Sequence, residues 1–480
     1  MLPSRFRHAR RKGRQNSLPG GPVVFQVSRL TVKFGILELL RDSKEGLTEA
    51  EALSRFHLNG FNSLMILDKE QCRPFDKNRA GLNLGEGAAF VVLTHESVKS
   101  EELRVKNNRN IFECNGNSDS SLFTLHSSLY IRGYANRCDA FHQTASSASG
   151  EGAFLAMSEA LQMAGLEPKD IQYINAHGTG TPNNDASESA AIRRIFSTHR
   201  GGLPPVSSTK GFTGHTTSAS GAIETVICIL AILNDFIPAN IGWKEQDEEC
   251  VTPCVGSEER RVNSSLNNVL CDSFGFGGND SAIVISRKPH PQPLSGKRGV
   301  KQPGEASILS PSGELEGVSV REFLSPGEAR RMGKLLKAAI ITSLKALKEA
   351  GIETPDAIIT ATEYGMLETS EKFLTDMLEN GEETLSPTLF MQSTHNTISS
   401  AIAIRTKCRG YNMTYSQGRD SFQWALRDAR RLIETGKAKT VLVGCHGEST
   451  PTFQEFFRRM GKPVPPLLSS RSIVLAAADD

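Results

Sequence analysis

The chain of 480 residues carries 55 basic and 53 acidic side chains, a formal net charge of +2, with 38% hydrophobic and 22% charged residues. That composition gives room for two or three domains and a sizeable core, and its charge balance exerts no strong pull toward nucleic acid or an anionic membrane. No run approaches the roughly 18 apolar residues of a membrane span, so partners have to be argued from sites.

In chain order, the first 37 residues contain no acidic residue and cluster Arg5, Arg7, Arg10, Arg11, Lys12 and Arg14. Acid-poor, Arg-rich starts occur in organelle transit peptides and nucleic-acid arms. The plainer reading is a disordered or mis-started segment, and residues 1–45 are set apart as basic and motif-poor. Between Lys99 and His126 the sequence turns Asn- and Ser-rich and loses its period, which marks an irregular insertion. From Glu151, EGAFLAMSEALQMAG spaces Phe154, Met157, Leu161 and Ala164 at helical intervals and ends on Gly165. IQYINAHG then reads as a buried strand from Ile171 to Ala176 that delivers His177 at its C-terminal end, where sites collect in α/β folds. PVSSTKG is a short strand, SASGAIETVICILAIL from Ser218 a buried helix, and NNVLCDSFGFGGNDSAIVIS two strands about a glycine-rich turn.

Residues 287–317 are rich in Pro, Gly and Ser without an apolar period and read as a linker. The domains are therefore 46–287 and 318–480, with 288–317 between them. In the second, GEARRMGKLLKAAIITSLKALKEAGI is an amphipathic helix stopped at Gly351, DAIITAT a strand, SFQWALRDARRLIETG a helix stopped at Gly436, and KTVLVG a final strand. Both segments are α/β. Nine cysteines, an odd number without a CxxC pair, suit a reducing compartment, and a cytoplasmic location is expected. Cys250 and Cys254 lack further ligands at zinc spacing, so no metal site is expected.

Four stretches carry the chemistry: CRPFDKNRAGLNLGEGAAFVVL (72–93), NAHGTGTPNNDASE (175–188), VSSTKGFTGHTTSASGAIE (206–224) and SFGFGGNDSAIVI (273–285). In this order and at these separations, they resemble the C-terminal half of the β-ketoacyl synthase family over most of residues 55–287. A second run, LSPTLFMQSTHNTISSAIAIRTKCRGYNMTYS (385–416), is similar to the N-terminal domain of ketosynthase-like chain-length-factor proteins, a likeness that extends over roughly 318–450.

The resemblance implies a thiolase-like layered α-β-α-β-α architecture, present here as incomplete halves. It implies decarboxylative condensation of a malonyl-carrier with an acyl thioester, in fatty acid or polyketide/polyene-type biosynthesis. The matched residues are His177 and His215, which as neutral imidazoles would donate Nε2 protons to the enolate oxygen. Lys210 matches the lysine that orders the site, Glu224 the acid that supports it, and Phe276 the gating phenylalanine. The Gly85–Gly87 run is read as structural, letting neighbouring backbone approach. The implied partners are acyl carrier protein, whose 4′-phosphopantetheine arm would be the only prosthetic group, and a ketosynthase in a homo- or hetero-dimer. No redox or nucleotide cofactor is expected.

The expected nucleophile, a cysteine activated at a helix N-terminus, has no candidate. The first cysteine is Cys72, directly before Arg73, and in the second segment the nucleophile position falls near Arg419. Cys408 and Cys445 read as buried structural cysteines and His395 as a hydrogen-bonded structural histidine. The alternatives are a non-catalytic chain-length-factor-like partner of an intact ketosynthase, or a fused gene remnant. A thiolase would use a second cysteine as base, which the SFGFGG turn does not offer. Because the family's halves share one core, the two segments are expected to pack on each other, or the chain to oligomerise.

Overall fold

The computed structural model describes residues 49–91, 93, 129–197, 202–254, 260–261, 265–290, 306–314 and 319–477. The basic segment, the insertion between Lys99 and His126, Cys114 and the middle of the linker lie outside the described residues. Those from 49 to 89 and from 129 to 477 belong to one compact unit.

The first segment opens on α1 (Glu49–Ser63) and continues through β1 (Tyr130–Cys138), α2 (Glu151–Ala164), β2 (Tyr173–Asn175), α3 (Pro182–Phe196), β3 (Val206–Ser207) and the one-turn α4 (Lys210–Thr213). Then come α5 (Ser220–Asn234), the small pair β4 (Phe236–Ile237) and β5 (Arg260–Arg261), and the hairpin β6 (Asn268–Gly275) and β7 (Asn279–Ser286). α2 buries Ala153, Ala156, Met157, Ala160 and Leu161 at helical spacing and stops at Gly165, whose φ of 61° suits glycine best.

The second segment begins inside the stretch read as linker, where β8 (Ala306–Glu314) forms. It continues with α6 (Val320–Phe323), α7 (Pro326–Arg330), α8 (Lys334–Glu349), β9 (Ala357–Ala361), α9 (Leu367–Asn380), α10 (Pro387–Met391) and α11 (Thr397–Thr406). β10 (Tyr411–Tyr415), α12 (Ser421–Glu434), β11 (Thr440–Glu448), α13 (Pro451–Arg459) and β12 (Leu468–Ala477) complete it. The long amphipathic run before Gly351 is thus two helices, because extended backbone at Gly333 caps α8. KTVLVG is not the last strand either: β12 returns antiparallel beside β11 and carries the sheet to β8.

The strand orders reveal a repeat. The first sheet runs β1-β7-β6-β2-β3 and the second β10-β9-β11-β12-β8. Numbered within its own segment, each sheet has the order first, fifth, fourth, second, third, with the second strand parallel to both the third and the fourth. Strand side chains alternate between faces, so neighbouring residues report opposite layers. Leu270 packs in the cluster of α2 and α3, whereas Val269 and Cys271 pack with Cys228 and Ile232 of α5. Likewise Ile358 joins α8 and α11, whereas Ala357 and Ile359 join α12. Each segment is therefore a sheet with helices on both faces.

The segments pack on each other, as expected. Phe56 and Phe61 of α1 interleave with Phe373 and Phe390, ring centroids 5.1–5.6 Å apart, in a cluster that also takes Leu82 and Met377. Cys138 and Ala140 enter the core of α8 and α11. Polar ties cross the same boundary: Asn412 N–H to Asn136 Oδ1 at 3.1 Å and Asn279 Nδ2 to Ser400 Oγ at 3.2 Å.

The window Thr217–Asn234 has a mean hydropathy of 1.5 and is long and apolar enough to cross a membrane by length and composition. In this fold it is α5 with its preceding turn, set against β6 through Cys228, Ala231 and Ile232 and carrying the buried carboxylate of Glu224.

Candidate functional site

β2 lies between β3 and β6, and the chain leaves its end into Ala176 and His177. The His177 ring is 3% exposed. Its position is fixed from behind by Glu188 on α3, whose two carboxylate oxygens accept the backbone N–H of His177 at 2.7 Å and of Gly178 at 2.8 Å. Asp185, one turn earlier on α3, accepts from Gly180 N–H at 3.2 Å and from Phe75 N–H at 2.8 Å, tying the turn to the segment around residue 75.

β3 delivers the second half of the site. Lys210, the first residue of α4, is 1% exposed. Its Nζ pairs with the Glu224 carboxylate on α5, donates to the His177 carbonyl, and stands 3.2 Å from His177 Nδ1. His215 follows in the turn before α5. Its backbone bridges to the first segment's early loop, with His215 N–H to Asn83 O at 2.7 Å and Gly85 N–H to His215 O at 3.1 Å. A Cβ at Gly85 would sit 2.0 Å from the Thr213 carbonyl oxygen, so the expected close approach of backbone at this glycine is present.

The two imidazoles meet edge to face, centroids 5.3 Å apart and planes at 83°. Each has a donor on Nδ1. For His177 it is the Lys210 ammonium, and for His215 it is the Thr217 backbone N–H at 3.2 Å, with Ser220 Oγ at 3.0 Å beside it. An ammonium and an amide N–H can only donate, so both Nδ1 atoms act as acceptors and the ring protons reside on Nε2. Burial, then Lys210, then His215 hold His177 well below the ordinary histidine range, and burial followed by Lys210 holds His215 down to about 3. Both rings are neutral Nε2–H donors at neutral pH.

Burial also raises the acids around them. Glu188 is pushed up to about 8, Glu224 is raised despite Lys210, and Asp272 on β6 is raised well above the carboxylate range, with neither oxygen hydrogen-bonded among the described residues. The arrangement supplies two preorganised donors in a dry setting, the requirement for stabilising an oxyanion that develops during a reaction.

His177, His215, Lys210 and Glu224 thus converge, but Phe276 does not join them. The left-handed Gly277 and Gly278 turn it toward Phe61, 5.8 Å away, and the ring that faces His177 is Phe274, at 5.5 Å. Phe276 instead borders a small cleft shared with Met391, Thr394 and Asn396, whose amide donates to the Phe276 carbonyl at 2.7 Å. Reading by residue type passed over Glu188, Asp185, Ser220 and Phe274, although each lies within one of the four quoted stretches. A carboxylate three residues after another at a helix start was a readable sign of N–H clamping at the preceding turn.

Cys72 lies in the wall of the site and gives its thiol to the Thr179 carbonyl at 3.2 Å; burial pushes it up to about 12. Cys408, bonded to the Pro355 carbonyl, is raised to about 11, and Cys445, within β11, is also raised by burial. Cys250 and Cys254 belong to separate apolar clusters, and among the described residues no three His, Cys, Asp or Glu are grouped to hold a metal ion. Arg419, in the turn before α12, is exposed beside Glu363 at 3.9 Å. His395 lays its ring over Gly365.

The profile of the β-ketoacyl synthase C-terminal domain matches residues 129–244, that of the β-ketoacyl synthase N-terminal domain matches 311–476, and that of a Dimerisation2-like domain matches 14–69. Among curated relatives, the 3-oxoacyl-[acyl-carrier-protein] synthase 2 of Coxiella burnetii is 39% identical over 215 residues, 45% of this chain and 46% of that protein. The synthase of the same name from Synechocystis is 36% identical over 217 residues, 45% of this chain and 46% of that protein. The chain spans about half the length of these relatives. The solved structure of "PfaC Keto synthase-Chain length factor" superposes with a TM-score of 0.63 over 88% of this chain and 54% of that one, at 17% identity, which shows the shared fold. The chain belongs to the β-ketoacyl synthase family, with a domain of the family's C-terminal type placed ahead of one of its N-terminal type.

Proposed function

We propose that this chain provides the decarboxylation site of a 3-oxoacyl-[acyl-carrier-protein] synthase system, with the nucleophile supplied from outside the residues described. The observation that carries the reading is that both His177 and His215 have a donor on Nδ1, which leaves Nε2–H for a thioester oxygen. The malonyl thioester loses CO2, and the electron pair of the broken C–C bond moves into the thioester carbonyl as an enolate held by the two Nε2–H groups. The enolate carbon then attacks an acyl thioester, expels its thiolate and gives the 3-oxoacyl thioester; without an acceptor it takes a proton and ends as acetyl thioester. Malonate arrives on the phosphopantetheine arm of a carrier protein, and no other cofactor takes part.

The second segment acts as a chain-length-factor-like wall. The turn before its α12 carries Arg419 and Asp420 where an active partner would place a cysteine, and its Met391 and Thr394 close the cleft against Phe276, the residue proposed to gate it. The test is to add a separately purified N-terminal ketosynthase half bearing a cysteine and an acyl group. Formation of 3-oxoacyl carrier only when both proteins are present supports the reading, and acetyl carrier as the sole product refutes the condensing role.

A further inference from the structure

Ser220 opens α5 and is 3% exposed. Its hydroxyl does not cap the helix: the cap position belongs to Ala219, where no side-chain bond is made. Instead, Ser220 Oγ lies 3.0 Å from His215 Nδ1 and 3.2 Å from Thr216 Oγ1. The Thr217 N–H reaches the same Nδ1 from 3.2 Å, which makes that nitrogen an acceptor. A hydroxyl beside an acceptor nitrogen gives up its single proton, so Ser220 donates to the ring and has lone pairs left for the Thr216 proton. Hydrogen bonds in such a chain polarise one another, and in a buried setting the effect is larger than in water.

We propose that Ser220 is a positioning residue for His215, the middle member of a Thr216–Ser220–His215 relay that fixes the ring's plane and keeps its proton on Nε2. The inference rests on the reading of His215 as a donor to a malonyl thioester. The backbone donor alone holds Nδ1 from one side, and the second donor shuts out the rotated ring that would present Nδ1–H to the substrate. Placing this donor at the first turn of α5 also couples the ring to the helix that carries Glu224, and so to Lys210 and His177.

The experiment uses the full chain and its Ser220→Ala and Ser220→Thr variants, with two readouts. Long-range ¹⁵N–¹H spectra of the imidazoles report the tautomer of His215 directly. In the wild type a bare Nδ1 and a protonated Nε2 are expected; Ser220→Ala mixes in the other tautomer, and Ser220→Thr restores the first. The second readout is decarboxylation of malonyl-pantetheine, where Ser220→Ala lowers kcat roughly fivefold, the worth of one hydrogen bond, with KM unchanged. A wild-type His215 protonated on Nδ1 overturns the proposal, as does an alanine variant with unchanged spectrum and rate. A wild type that decarboxylates nothing refutes the reading of the site, while the spectra still decide whether Ser220 sets the tautomer.

Discussion

Lys210 faces His177 at two points, with Nζ 3.2 Å from the ring Nδ1 and donating to the carbonyl of the same residue, while its charge is balanced by Glu224. All three side chains are at most 3% exposed, so the ammonium is at once a tautomer lock and half of a buried ion pair. Lys210→Met removes both functions and strands Glu224 without a cation. The expected loss is about 3–5 kcal/mol of unfolding free energy in urea, and the double variant Lys210→Met/Glu224→Gln recovers most of it without regaining decarboxylation. Equal stability of the single and double variants contradicts the pairing.

Glu188 supplies two acceptors to two adjacent N–H groups. Glu188→Gln can satisfy only one of them and sets an amide NH2 against the other. Leaving one buried donor unmet costs about 1–3 kcal/mol, read as a lowered denaturation midpoint with unchanged slope, and decarboxylation falls because the His177 backbone shifts.

The pH dependence follows from opposite shifts. His215 stays neutral in the folded state down to about 3, whereas the unfolded chain takes up that proton near 6.5. The unfolded state therefore binds more protons between those values, and stability is lost as pH falls below 6.5, by up to ~1.4 kcal/mol per pH unit. Glu188 holds its proton up to about 8 against 4.5 unfolded, so its contribution is full below 4.5 and is lost as pH rises toward 8. The two slopes oppose each other between 4.5 and 6.5. Melting temperatures from pH 3 to 9 are expected to peak in that mildly acid window, with Glu188→Gln flattening the alkaline side. A steady rise from pH 5 to 9 runs against this account.

Phe390 is 3% exposed, meets Phe56 and Phe61 across the boundary between the segments, and meets Phe373 within its own segment. Phe390→Ala is expected to cost about 3–5 kcal/mol and to raise amide exchange in both α1 and α9. Exchange that rises in α9 alone would mean that the segments do not stabilise one another.

Two of the four stretches disclosed the histidines, Lys210 and Glu224 because their residue order resembles that of the β-ketoacyl synthase family, whose site residues these positions match. Asp185 and Glu188 were equally present in the sequence, and their spacing near a helix start signals clamping of a preceding turn, but only the fold shows which N–H groups they hold. The surroundings of Phe276 were not legible because a residue's direction in a Gly-Phe-Gly-Gly turn depends on the φ values of its glycines, which composition does not express. The strand at 306–314 was hidden for a similar reason: Pro, Ser and Gly are typical of loops, and only its pairing with β12 makes that stretch a strand. The duplicated strand order was invisible because the two segments repeat a topology, not a sequence.

The central claim, that His177 and His215 are paired neutral donors able to decarboxylate a malonyl thioester, is tested most directly by intact-mass analysis of malonyl-loaded carrier protein incubated with the purified chain. The account expects conversion to acetyl carrier, reduced by about 10²–10³-fold in His177→Ala and in His215→Ala, the usual effect of deleting one oxyanion donor. A folded wild-type chain that leaves malonyl carrier intact, or one whose histidine variants convert it equally well, would contradict it.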